Sequence, residues 1–469
     1  MRPERDTMGE MQVPDDALYG ASTQRAAVNF PISGHLMPPG FIRGLGMVKS
    51  ACAAANEELG LLSPEKSRLI QQVAEEVIAG RWTGQFPVDV FQTGSATSSN
   101  MNLNEVIANR ASQLSGQAIG SRKPLHPNDD VNLGQSSNDV IPTALHVSVA
   151  VALKDELVPA LEELAAALEV KAAEFRDIVK IGRTHLMDAT PLTLGQEFSG
   201  YAAQVRKGAG RARKAIAALE ELAIGGTAVG TGLNCHPEFA GRVSRVLAER
   251  TGIPFREAGN HFEAQGGRDD CVEVAGQLTA IAASLTKVAN DIRLLGSGPR
   301  AGLAELRLPA TQPGSSIMPG KVNPVMSEML VQVAIYATGL GNMVALCGRD
   351  GHFELNVTMP LMAYALHEAV HCLAHGCRVF ARQCVVGLVA DPARCQELVS
   401  RSLMLVTALN PHIGYDAAAA VAKEAFTTNR SLREVVLARG LLDAATLDRA
   451  LDPGSMTKPG GAVPGGAGG

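Results

Sequence analysis

The sequence predicts a mainly α-helical protein built on a bundle of long helices, and three observations carry that expectation. Apolar residues recur at helical spacing over stretches longer than an ordinary helix: Val274, Leu278, Ile281, Leu285, Val288, Ile292 and Leu295 alternate steps of four and three. The composition is 46% hydrophobic with 48 glycines but only 4% aromatic residues, which suits close helix contacts through small residues better than a β-sandwich. Segments dense in Gly, Ser, Thr, Asn and Pro separate the apolar stretches and read as loops.

Taken in order, 469 residues exceed one ordinary core. The expected divisions are an N-terminal helical domain (1–135), a central long-helix domain (136–392) and a small C-terminal helical domain (393–469). The loop-like segments are Thr93–Asn104, His126–Asn138, Gly182–Pro191, Gly225–Asn234 and Thr311–Pro324. Such loops are where a rigid scaffold presents its chemistry. A second helical stripe runs through Leu157, Leu161, Leu164, Leu168 and Phe175. Met329–Cys347 carries no charged side chain over 19 residues, yet holds Gln332, Thr338 and Asn342, and no comparable second span exists. It reads as the centre of a helical core and not as a membrane span. After Asp391 the periodic stretches shorten, and Pro453–Gly469 reads as a disordered Gly/Pro-rich tail.

Net charge is −5, and no Lys/Arg run interleaves with aromatics, so nucleic acid is excluded as a partner. A small anion remains admissible, because a local cluster of donors can oppose the overall sign. The eight cysteines form no CxxC pair, and several lie in apolar helical stretches as free buried thiols do. The N-terminus begins charged, with no apolar signal core. Together these point to a reducing, cytoplasmic compartment.

The most informative segment is Gly314-Ser-Ser-Ile-Met-Pro-Gly-Lys-Val-Asn-Pro324. Its Gly and Pro residues leave backbone N–H groups free to face an anion. Lys321 adds a positive charge, Asn323 a neutral donor, and Ser315 and Ser316 two hydroxyls. A P-loop is excluded, because five residues separate Gly314 from Gly320 and Val322 follows the lysine.

This loop is similar to the signature of the fumarase/aspartase superfamily. Other segments resemble the same family in the same order: Thr93–Asn102, His126–Asp129, Gln135–Asp139, Gly182–Pro191, Gly225–Asn234 and Leu409–Tyr415. The resemblance spans nearly the whole chain. Details resemble its class II fumarases: His185 where aspartases carry Gln, and the segments Asp89–Gly94 and Gly351–Val357. Ala96, Gly134 and Val325-Met326 depart from that pattern. Ala96 replaces a glycine, and its methyl is expected to crowd the substrate or to force a negative φ.

The resemblance implies a cofactor-free, metal-free lyase that interconverts fumarate and (S)-malate, in a three-domain fold that assembles as a homotetramer through its long helices. It makes Ser315 the base, and Lys321, Asn323 and Ser316 the holders of the carboxylate that gathers charge. His185, through a water and beside Thr184, is the acid, with Glu328 tuning it. Ser95, Thr97, Asn100, Ser136, Ser137 and Asn138 anchor the dicarboxylate. His126, Pro127, Asn128 and Asp129 resemble a second anion site. In the family, three subunits each contribute a segment to one site.

Three competing readings stand beside this one. Aspartate or another succinyl compound, acted on with loss of ammonia or another leaving group, uses the same Ser315 and Lys321. A non-catalytic binding protein keeps the fold alone. His367-Glu-Ala-Val-His371 fits the helical zinc-peptidase pattern, with His367 and His371 as ligands and Glu368 as base.

Overall fold

The structure, a computed structural model, describes residues 1–459. Among these residues helices dominate, and the strands form only two-stranded pairs. Among the described residues seven helices run to 17 residues or more: Pro39–Glu58, Thr97–Leu114, Val158–Glu174, Leu194–Ala218, Asp269–Leu295, Val325–Gly348 and Met359–Gln383. The chain divides into two compact units. One comprises Met1–Leu161, Lys207–Ser284 and Gln332–Gly376; the other comprises Glu162–Arg206, Leu285–Val331 and Cys377 onward. Every boundary between them falls inside one of the last five of these helices.

The apolar stripes are core. Every member of the Val274–Leu295 stripe is buried, as are Leu157, Leu161, Leu164, Leu168 and Phe175. Removing that much apolar surface from water is the main force holding such helices together, at about 1.5–3 kcal/mol per buried Leu or Ile. All eight cysteines are free thiols, six of them buried. Among the described residues, Val325–Gly348 is the one helix long and apolar enough to cross a membrane, with 39% of its most apolar window buried. Ile335, Tyr336 and Leu346 on it are exposed.

Three local expectations need correction. Gly182–Pro191 is not a loop: Val179–Thr184 and Met187–Thr193 pair as an antiparallel hairpin. The period-2 signal was masked by a register shift between Ile181 and Arg183 and by turn residues His185-Leu186 that carry no Asn-Gly or Asp-Gly cue. The Thr93–Asn104 segment turns helical at Thr97, behind Ala96. The expected disordered tail does not begin at Pro453, because Pro453–Thr457 forms a 3₁₀ turn capped by Asp452, and the Gln196 amide donates to Thr457 O at 2.7 Å. The rest of that tail, from 460 on, lies outside the described residues.

The zinc-peptidase reading fails on geometry. His367 is buried, its Nε2 meets Ser148 Oγ at 2.9 Å, and its ring packs so closely on Gly40 that a Cβ there would lie 2.7 Å from Nδ1. His371, one helical turn on, is 59% exposed. The pair cannot share a metal while one ring is committed to the core.

Burial pushes the His367 pKa down to about 4. In the unfolded chain an imidazole titrates near 6.5, so the unfolded state takes up a proton that the folded state refuses. The resulting stability is present above about pH 6.5 and is lost as pH falls toward about 4. His146, pushed down to about 3 by burial, acts in the same direction. Thermal melts across this range are expected to show a shallower acid loss in His367→Asn than in the wild type; parallel curves would contradict the assignment.

Candidate active site

In the first unit the candidate residues gather around two helix N-termini. Ala96 precedes the helix Thr97–Leu114 in a left-handed conformation, φ 53 and ψ 28. The expected negative φ is therefore wrong: the methyl is buried and the strained conformation is kept, at a cost of about 1–2 kcal/mol relative to an ordinary φ. The helix Ser137–Ala152 starts at a capping box in which Ser136 Oγ accepts from Asn138 N at 3.2 Å and Asp139 accepts from Ser136 N at 2.9 Å. The Ser136 hydroxyl is thus committed to its helix. Three other hydroxyls form a chain, Ser95 to Thr97 at 2.8 Å and Thr97 to Ser137 at 2.7 Å. Joined N-termini with a hydroxyl chain across them suit a carboxylate, which N–H groups and the helix dipole both favour.

Two residues the motif reading passed over hold this arrangement. Lys49 is fully buried, and its Nζ donates to Asn132 Oδ1 at 2.9 Å and Gln135 Oε1 at 2.8 Å. Asn132 Oδ1 also accepts from Asn100 and Asn104 at 3.1 and 3.2 Å, so one amide oxygen ties the lysine to both asparagines. Burial pushes the Lys49 pKa down to about 8. Asp139 is also fully buried, and it accepts from Gly225 N at 3.0 Å and Thr227 N at 2.9 Å, pinning the Gly225–Asn234 segment to the helix start. Burial pushes its pKa up to about 6. The signal for Lys49 was a lone cation in the small, apolar run Gly44–Ala55. Asn138 reaches Ala228 O at 2.8 Å, on the same pinned segment. The Asn100 Oδ1 is buried without a partner among the described residues.

His126 Nδ1 accepts from the backbone N–H of Asn128 and Asp129 at 3.3 and 3.2 Å. Pro127 beside it is buried, while Asn128 and Asp129 are exposed. Two N–H groups that an anion at this turn would use are already spent on the ring.

In the second unit the signature loop is a clasp. Gly314 N donates to Lys321 O at 3.0 Å, and the Asn323 amide donates to Gly314 O. A Cβ on Gly314 would lie 2.3 Å from Lys321 O, so the closure requires glycine. Inside it, Ser315 Oγ accepts from Ile317 N at 3.2 Å and Met318 N at 2.9 Å. Two N–H groups aimed at one hydroxyl oxygen favour its anion. Ser316 and Lys321 are exposed, and Glu328 sits half-buried in the first turn of Val325–Gly348.

Thr184 and His185 stand exposed at the hairpin tip. His185 and Leu186 both have positive φ, 56 and 62, which is the geometry of a tight two-residue hairpin turn. Neither is glycine, so the tip stores strain, as residues held for function commonly do. Behind the tip, Arg183 makes a two-pronged contact with Glu305 at 2.8 and 3.2 Å. Lys180, also buried, lies 2.8 Å from Glu197 and 3.8 Å from Glu305. Ile181 anchors the same strand in the core of the small C-terminal helices, with Val399, Leu409 and Val435.

A family model described as Lyase matches residues 9–339, and one described as Fumarase C C-terminus matches residues 405–458. The fumarate hydratase class II of Neisseria meningitidis is 50% identical, with 98% of this chain and 99% of that protein covered. That of Chromobacterium violaceum is 53% identical, covering 97% and 99%. The class II fumarase structure from Schistosoma mansoni superposes with a TM-score of 0.94 at 39% identity, over 97% of this chain and 99% of that one.

Proposed function

The chain belongs to the class II fumarase family, and on that premise we propose how its own residues carry the addition and removal of water that interconvert fumarate and (S)-malate. Ser315 is the base. The supporting observation is the pair of backbone N–H groups, Ile317 and Met318, that point at its oxygen. In the malate-to-fumarate direction the Ser315 alkoxide takes the proton from the carbon next to one carboxylate. The electron pair spreads onto that carboxylate, where Lys321, Asn323 and Ser316 hold the added charge. Hydroxide then leaves from the opposite face, protonated by His185 through a water, with Thr184 beside it and Glu328 tuning the acid. Ser95, Thr97, Asn100, Ser137 and Asn138 hold the dicarboxylate, with Ser136 fixing the helix start beneath them.

The active assembly is a cytoplasmic homotetramer in which three subunits contribute to each site. Exposed Ile335, Tyr336 and Leu346 on an apolar helix support self-association, since such a face gains by being covered.

The experiment is the ultraviolet absorbance of fumarate over time, with L-malate in one cuvette and L-aspartate in another. A rise with malate alone is expected. A rise with aspartate alone would keep the fold and make the chain an ammonia-lyase.

A further inference from the structure

Among the described residues outside those assigned to the reaction, one cluster has metal-ligand chemistry. We propose that Glu156, His371 and His375 form a binding site for a borderline divalent transition-metal ion, of which Zn²⁺ is the type.

Three observations carry it. First, His371 and His375 lie one turn apart on Met359–Gln383, and their rings stand side by side with centroids 4.2 Å apart and planes tilted by 39°. Imidazoles at this spacing present their nitrogens to one point beside the helix. Second, the carboxylate arrives from a π-helical turn, Leu153–Leu157, between two α-helical stretches. Such turns are rare and concentrate at functional sites, because the inserted residue rotates the side chains that follow. Here it carries Glu156 to the histidine pair, with Oε2 3.8 Å from His371 Nδ1.

Third, the candidate ligand atoms all lie within 4.8 Å of one another. Zinc–ligand distances of about 2.0–2.2 Å put tetrahedral neighbours roughly 3.3–3.6 Å apart. A shift of about 1 Å closes the site, within reach of side chains 59% and 42% exposed at His371 and Glu156. Two imidazoles and one carboxylate match zinc better than calcium or magnesium, which favour all-oxygen shells. Three protein ligands leave a fourth position to water. The ion would bridge two segments far apart in sequence, so its effect is a staple.

The test uses the full-length, assembled protein without a histidine tag. Titration calorimetry with Zn²⁺ is expected to give about one ion per chain, and Zn²⁺ is expected to raise the melting temperature. His371→Gln and His375→Gln are each expected to weaken binding at least about tenfold and to abolish that rise. Their metal-free melts should match the wild type, which separates lost ligation from lost folding. Cys372→Ser should bind normally, which excludes the neighbouring thiol as the ligand. No binding by the wild type, or an equal response in wild type and His375→Gln, would overturn the proposal.

Discussion

Ser315→Ala is expected to lower kcat for malate dehydration by about a hundred- to ten-thousandfold, the range general-base groups contribute, with little change in KM. The hydroxyl accepts from Ile317 N and Met318 N in a loop whose neighbouring residues are largely exposed. Water replaces it there, so the melting temperature should stay within the change an ordinary surface substitution makes, about 0.5 kcal/mol in stability. The pairing of a large kinetic loss with an unchanged melt is the diagnostic result. A variant that kept more than about a tenth of the wild-type rate would remove Ser315 as the base, since a base worth so little falls below the general-base range.

Glu305→Ala is expected to cost about 3–5 kcal/mol and to lower the melting temperature by roughly 10 °C. Glu305 is fully buried and holds Arg183 by two contacts, with Lys180 on its other side. Lys180 keeps Glu197, but Arg183 has no other ion-pair partner among the described residues. A half-buried guanidinium left alone beside a cavity is the costly outcome, more than the loss of the pair itself. Arg183→Met combined with Glu305→Met should recover much of the stability, because it removes both charges. Activity should also fall in the single variant, since Arg183 directly precedes Thr184 and His185 at the hairpin tip. A Glu305→Ala enzyme with a wild-type melt and rate would show that the network does not position the tip.

Much of this molecule was legible before any coordinates. The Val274–Leu295 stripe needed only its period, since a helix that buries one face must repeat apolar residues every three or four positions. The signature loop was legible because its Gly, Pro and Lys spacing is itself the local geometry. The hairpin at Val179–Thr193 was not, because a shifted register breaks alternation and the turn is held by its surroundings against the preferences of His185 and Leu186. Ala96 taught the same lesson: local preference pointed to a negative φ, and packing overrode it. His367 shows the converse error, in which a local motif fitted a function that the burial of one ring forbids.

By itself the sequence determined the helical class, the position of its loops and the residue types offered to the substrate, because periodicity and turn chemistry act between near neighbours. Only the tertiary structure decided that Lys49 lies under Asn100 and Asn104, that Asp139 clasps Gly225 and Thr227, and that Glu305 braces the hairpin. Each of these joins groups distant in sequence. Burying a charge costs free energy unless a partner from elsewhere in the chain meets it, and no local pattern encodes that partner.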